Sequence, residues 1–252
     1  MNPLFEAARE VFDVLNEIKT PACLIGGLAV QRWGQPRQTL DVDLTMAVQL
    51  ETEVQLIDKL LSVFRARIST AKEFALTRRV LLLSASNGVG LDLALGITSF
   101  EATTIERSSL HEFGPGFVFP TCSAEDLLVH KCFAGRDRDL ADAEQVVVRN
   151  RKTLDLNYIR YWLKELGLAI EDSEIPNRFE RLLLRVNRLH EFDSTERWIA
   201  CKRASRLERI LRSSFHFDAF SAAAYFRVSI YRGTELRNEQ LPQYYIALSS
   251  VS

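Results

Sequence analysis

The sequence has no apolar run near the roughly 20 residues that a bilayer crossing needs, which argues against a membrane protein. It also has no charge-free apolar segment at its start. Glu6, Arg9, Glu10 and Asp13 interrupt the first fifteen residues, so no signal peptide is expected and the expected location is cytoplasmic. Cysteine is scarce. Cys23, Cys122, Cys132 and Cys201 lie far apart, with neither a CxxC pair nor zinc-ligand spacing, so buried free thiols are expected instead of a disulfide or zinc framework. Charge of one sign is missing too: a net charge of −1 provides no global attraction to nucleic acid. One local exception runs from Arg178 to Arg212, where ten Lys/Arg face five Asp/Glu. With 47% hydrophobic and 26% charged residues, an ordinary globular balance, disorder of the chain as a whole is not expected.

Periodicity divides the 252 residues into two textures. Phe5, Ala8, Phe12, Leu15 and Ile18 mark an amphipathic helix closed by Thr20-Pro21. A short apolar strand, Ala22 to Ile25, meets Gly26-Gly27, and a helix follows from Leu28 to Trp33. Leu40 to Met46 alternates strictly and reads as a strand; Leu50 to Phe64 has helical spacing. Strands over Arg79 to Ser84 and Leu91 to Leu95 flank an Asn87-Gly88 turn signal. Weaker strands are expected over Ile105 to Phe113 and Phe117 to Phe119, around Gly114-Pro115-Gly116. From Ser123 onward helices dominate: Ala124 to Ala134, Leu140 to Arg149, Leu156 to Leu166, and Arg178 to Leu189. The expected class is α+β, a small mixed sheet with flanking helices followed by a helical C-terminal part. The expected divisions are a core at 1–121, a helical domain at 122–194 and a tail of unassigned structure at 195–252, with a basic helix expected over Glu196 to Ser213.

The chemistry concentrates in Leu40-Asp41-Val42-Asp43-Leu44-Thr45-Met46. On a strand, Leu40, Val42, Leu44 and Met46 share one face and Asp41, Asp43 and Thr45 the other. The two aspartates would stand about 6–7 Å apart at their α-carbons. Such proximity of like charges requires a cation or a proton shift, and paired hard oxygens suit Mg²⁺. The plain alternative is a solvated strand face. Gly26-Gly27, between strand and helix, permits close backbone approach and offers N–H groups to an anion, or is simply a turn. Asp92 is a lone acid in Gly90-Leu91-Asp92-Leu93-Ala94-Leu95 and needs a partner, either a shared cation or an arginine. Arg37 and Thr39, just ahead of the Asp strand, either hold a triphosphate or fix the loop.

Together, Gly26-Gly27-Leu28-Ala29-Val30 and Trp33-Gly34-Gln35-Pro36-Arg37-Gln38-Thr39-Leu40-Asp41-Val42-Asp43-Leu44 resemble the polymerase-β-type nucleotidyltransferase superfamily. Its pattern is a glycine turn, an Asp-x-Asp strand about a dozen residues on, and a third acid on a later strand, where Asp92 fits. Within the superfamily the chain looks most like AbiEii-type bacterial nucleotidyltransferases, many of them toxins of toxin–antitoxin or phage-defence pairs. The likeness covers roughly Pro3 to Leu189.

A second element, Lys131-Cys132-Phe133-Ala134-Gly135-Arg136-Asp137-Arg138-Asp139-Leu140-Ala141-Asp142, follows a helix N-cap at Ser123. Read alone, Lys131 lies along an apolar stripe, either snorkelling or delivering charge to a site. Asp139 and Asp142 read as acids near a helix start, and His130 as a surface histidine. The AbiEii-like pattern implies instead that Lys131 contacts nucleotide phosphates, with Asp139 and Asp142 steering it or the nearby arginines, or reaching the base or acceptor.

The resemblance implies NMP transfer from an NTP substrate to a hydroxyl acceptor. Asp41, Asp43 and Asp92 would be both catalytic residues and ligands of Mg²⁺ or Mn²⁺, and Gly26, Gly27, Arg37, Thr39, Lys131 and Asp139 would form the nucleotide site. RNA, protein and small-molecule acceptors all remain open, as does an antitoxin protein partner. The rival reading is a catalytically inactive nucleotide- or partner-binding module on the same fold.

Overall fold

Alternation in the Asp strand organises the molecule. Val42, Leu44 and Met46 are fully buried on one side of it, and Asp41 and Asp43 are half-buried on the other. The structure, a computed structural model, describes residues 2–188, which lie within one unit, Met1–Glu191. The tail at 195–252, the expected helix over Glu196 to Ser213, Cys201 and the end of the expected helical domain at 189–194 lie outside the described residues.

The element order is α1 (Pro3–Glu17), β1 (Ala22–Leu24), α2 (Gly26–Trp33), β2 (Asp41–Ala47), α3 (Glu53–Val63), β3 (Arg65–Ala66), α4 (Ala71–Arg78), β4 (Val80–Ser84) and β5 (Gly90–Gly96). It continues with α5 (Ser99–Glu106), β6 (Ser109–Gly114), β7 (Phe117–Thr121), α6 (Ala124–Ala134), α7 (Asp137–Asn150) and α8 (Leu156–Ala169). A further helix, α9, spans 174–188 within the described residues. The strands form one mixed seven-stranded sheet, ordered β3-β4-β5-β2-β1-β7-β6. β2 and β5 pair in parallel at its centre, and β1 with β7 is also parallel; the other pairs are antiparallel. The class is therefore the expected one: a mixed sheet with flanking helices, then helices.

Turn chemistry sets the hairpins. Gly88 adopts φ +85° after Asn87, whose side chain accepts from the Val89 N–H, and joins β4 to β5. Gly116 does the same between β6 and β7 at φ +75°. One sheet face packs on α1, α3 and α4: Ala8, Val11, Phe12, Ile57, Leu60 and Ala75 meet Leu44, Leu81, Leu91 and Leu93. A second core joins α6, α7, α8 and α9 to Cys23, Ala29, Val30 and Phe100, so β1 and α2 contribute to both cores and α5 to the second.

Three local expectations change. Leu40 does not face a core: β2 begins one residue later, and Leu40 is 77% exposed in the approach loop. Ile105 to Phe113 is not one strand. α5 runs to Glu106, held by a Thr98/Glu101 capping box, and β6 starts at Ser109. α4 and the two-residue β3 went unread because neither has a sustained apolar period.

The central strand pair carries the fold. Leu93→Ala, which empties a fully buried position on β5, should lower unfolding free energy by about 2–5 kcal/mol in urea titration. A loss below about 1 kcal/mol would contradict this account of the core.

Candidate active site

The parallel register of β2 and β5 sets Asp43 directly beside Asp92 and Asp41 beside Gly90. Neighbouring strands lie about 4.8 Å apart, and paired residues share a sheet face. All three aspartates therefore stand together on the face opposite the α1/α3/α4 core.

Each carboxylate takes a different donor. Asp41 Oδ1 accepts from Thr39 Oγ1 at 3.1 Å, and Asp43 Oδ2 accepts from the Gly27 N–H at 3.2 Å. Asp92 is ion-paired with Arg67, so the arginine alternative for this acid is present. Among the described residues, no three acidic, histidine or cysteine side chains are gathered closely enough to hold a metal in their present rotamers.

The surroundings nevertheless fit a hard dication. The donors are carboxylate oxygens aligned on two rigid strands, and the glycine corner is built around one of them. Gly26 has φ +57°, and a Cβ there would lie 2.1 Å from Asp43 Oδ2. A Cβ on Gly27 would lie 2.4 Å from Thr39 Oγ1. Either side chain would displace a site group. Ile25 supplies no side-chain cap to α2, so the Gly27 N–H is free to serve the carboxylate. Burial is the main cause raising the Asp43 carboxyl above its usual range, and Asp41 adds to it. The Gly27 N–H, Lys131 and Arg136 act in the opposite sense.

The second element forms a buried charge network beside this corner. Lys131 Nζ donates to Asp139 Oδ1 at 2.8 Å and to Asp142 Oδ2 at 2.9 Å. Its side chain is only 8% exposed, so Lys131 does not snorkel. Arg37 grips Asp142 with two bonds of 2.7 and 2.8 Å, and Arg136 holds Asp139 at 2.6 Å. Both acids are thus consumed by cations, and Arg37 ties the loop before β2 to α7. Arg138 adds a bond to the Gln38 carbonyl, and Arg149 one to the Gly34 carbonyl. Burial alone would raise Asp139 and Asp142, but hydrogen bonds from Lys131, Arg136 and Arg37 outweigh it and hold both below the usual carboxylate range.

Other candidates stand apart. His130 is not a surface histidine: its Nε2 is enclosed without a partner and its ring packs on Phe100 at 4.9 Å. Burial pushes the Cys23 and Cys132 thiols up to about 12, as suits inert buried cysteines. An open cavity of about 650 Å³ lies at the other end of β2 and β5, lined by Lys19, Val48, Gln49, Gly96 and Ile97, and contains none of the acids. Arg67 is the site residue that sequence reasoning missed. It follows a two-residue strand without periodicity, and only three-dimensional register brings it to Asp92.

No known family profile matches the chain, and no curated protein sequence matches it. Among solved structures it is similar to the antibiotic-resistance factor ANT(2'')-Ia, with 13% identity over 73% of this chain and 97% of that one, TM-score 0.44. It is also similar to an antigenic nucleotidyltransferase-like protein from Paracoccidioides brasiliensis, with 15% identity over 69% and 93%, TM-score 0.41. A third is the lincosamide antibiotic adenylyltransferase LnuA, with 14% identity over 56% and 94%, TM-score 0.39. Superpositions this loose fix neither substrate nor residue roles.

Two outcomes follow from the charge arrangement. Asp142→Ala leaves Lys131 and Arg37 without their shared partner and should destabilise the protein by about 3–5 kcal/mol. Because Asp139 and Asp142 are held low, their contribution is complete above the unfolded carboxylate value of about 3.9 and is lost as pH falls through their folded values. The penalty of Asp142→Ala should therefore shrink in acid, measurable by urea titration from pH 7 to pH 3. Asp43 has the opposite sign. Its raised value means that its charge opposes folding at neutral pH, so Asp43→Asn should raise the thermal midpoint of metal-free protein. A lowered midpoint would remove the argument that burial strains this charge.

Proposed function

We propose that this chain is a polymerase-β-type nucleotidyltransferase, AbiEii-like in its second element, which transfers NMP from an NTP to a hydroxyl acceptor. One observation carries the reading: Asp43 and Asp92 are register partners on parallel strands, with Asp41 on the same face and a glycine corner fitted against Asp43. Three acids gathered on one sheet face repel one another, and a dication shared among them would relieve that repulsion where Arg67 answers Asp92 alone.

In this reading Asp41, Asp43 and Asp92 provide oxygen ligands for Mg²⁺ or Mn²⁺. When bound, two such ions would neutralise phosphate charge and lower the pKa of an attacking hydroxyl. Gly26 and Gly27, which let Asp43 and Thr39 pack against their corner, would help hold the triphosphate, and Lys131 would set a positive charge toward its phosphates. Asp139 and Asp142 aim that lysine through the two bonds described above. Arg37 and Thr39 keep the strand-entry loop in place and border the nucleotide. Asp92, at the outer edge of the trio, takes the acceptor proton. The acceptor oxygen bonds to the α-phosphorus, the bond from that phosphorus to the β-bridging oxygen breaks, and pyrophosphate leaves with the electron pair.

A second reading, the inactive nucleotide- or partner-binding module, is favoured by one contact, the Arg67 pairing of Asp92. The acceptor (RNA, protein or small molecule) and any antitoxin partner belong to this proposal as open classes.

The decisive assay offers each labelled NTP with Mg²⁺ to total RNA, to protein and to small hydroxyl acceptors. Label should move to one acceptor class, and Asp41→Asn or Asp43→Asn should reduce transfer at least about a hundredfold with unchanged circular dichroism. Nucleotide binding without transfer would favour the inactive module. Wild-type transfer in Asp43→Asn would overturn the site assignment.

A further inference from the structure

Arg67 has no part in the scheme above, yet it is built into the same row. The antiparallel pairs Arg65–Ser84 and Ala66–Leu83, continued by one residue, bring Arg67 opposite Leu82, and the Arg67 N–H donates to the Leu82 carbonyl at 3.1 Å. Leu82 pairs with Asp92, and Asp92 with Asp43. Arg67, Leu82, Asp92 and Asp43 therefore form one cross-strand row on one sheet face, with a positive charge at its end. Gly90 makes space for that charge, because a Cβ there would lie 2.9 Å from Arg67 Nη1 and 3.5 Å from Asp41 Cβ. The guanidinium thus lies over the position where β5 has no side chain, beside Asp41 and paired with Asp92.

We propose that Arg67 is the resident counter-cation of the carboxylate row: it holds Asp92 in the metal-free protein and must release it before a dication is shared by Asp92 and Asp43. This rests on the metal-dependent reading of the site. The arginine and the dication need the same carboxylate and repel each other, so they compete for it. The competition is reversible because both side chains are about 30% exposed, at 31% and 29%. An ion pair so open to water is weak enough for a metal–nucleotide complex to displace. Lys131 differs, being enclosed and donating a hydrogen bond to each of two acids. Arg67 is therefore a positioning residue that acts through Asp92 and sets how much divalent cation the site requires.

The test uses the full chain without nucleotide and follows Mn²⁺ binding by loss of the free-ion paramagnetic resonance signal. Arg67→Ala should bind Mn²⁺ about five- to tenfold more tightly than wild type. Gly90→Ala, which unseats the guanidinium while leaving its charge in the chain, should also tighten binding. Arg67→Lys should stay near wild type because a cation remains. Equal affinities for wild type, Arg67→Ala and Gly90→Ala would overturn the proposal, as would weaker binding in either alanine variant. If wild-type binding vanishes in Asp43→Asn but does not move in Arg67→Ala, only the role of Arg67 fails. If neither wild type nor any variant binds Mn²⁺, the metal-dependent reading falls and this proposal with it.

Discussion

The parallel pairing of β2 with β5 is the constraint on which the rest of the site depends. It brings two carboxylates to neighbouring positions, with a third two residues away, on one face of a sheet whose opposite face is a full hydrophobic core. A strand cannot turn one side chain away without turning its whole alternating set, so the core residues lock the acids in place. Val42, Leu44, Leu91 and Leu93 are thus as much a part of the site as the aspartates. The surrounding features answer the charge that this pairing concentrates: a backbone N–H at Gly27, a hydroxyl at Thr39, a guanidinium at Arg67, and the enclosed Lys131 nearby.

Much of this was legible in the sequence because the relevant signals are short in range. Strict alternation in Leu40 to Met46 identified the strand and the face of its acids, although the first residue fell outside the sheet. Asn87-Gly88 and Gly114-Pro115-Gly116 marked both hairpins. Ser123 marked the start of α6, where it caps the Asp126 N–H at 3.1 Å. Alternation likewise set Asp92 opposite the buried Leu91, Leu93 and Leu95 of its own strand, whereas its place beside Asp43 comes from the pairing of β5 with β2.

What escaped depends on register between distant segments. Nothing near Arg67 announces that a two-residue strand will carry it across β4 to Asp92. Nor does local spacing reveal that Arg37 and Lys131, 94 positions apart in the chain, share the carboxylate of Asp142. α5 was missed for another reason. Its Thr103 and Thr104 favour strands by propensity, and the Thr98-Ser99-Phe100-Glu101 capping signal that overrides them occupies a single turn. His130 reads as a surface residue from its own helix alone, and only the arrival of Phe100 from α5 covers its ring.

The shared grip on Asp142 has a mechanical consequence. Arg37 enters from the loop that feeds β2, and Lys131 from the last turn of α6, so one carboxylate is the hinge pin between two segments far apart in sequence. Both cations reach the same Asp142 oxygen, so the loop that carries Thr39 and leads into Asp41 is fastened to the end of α6 through a single shared group.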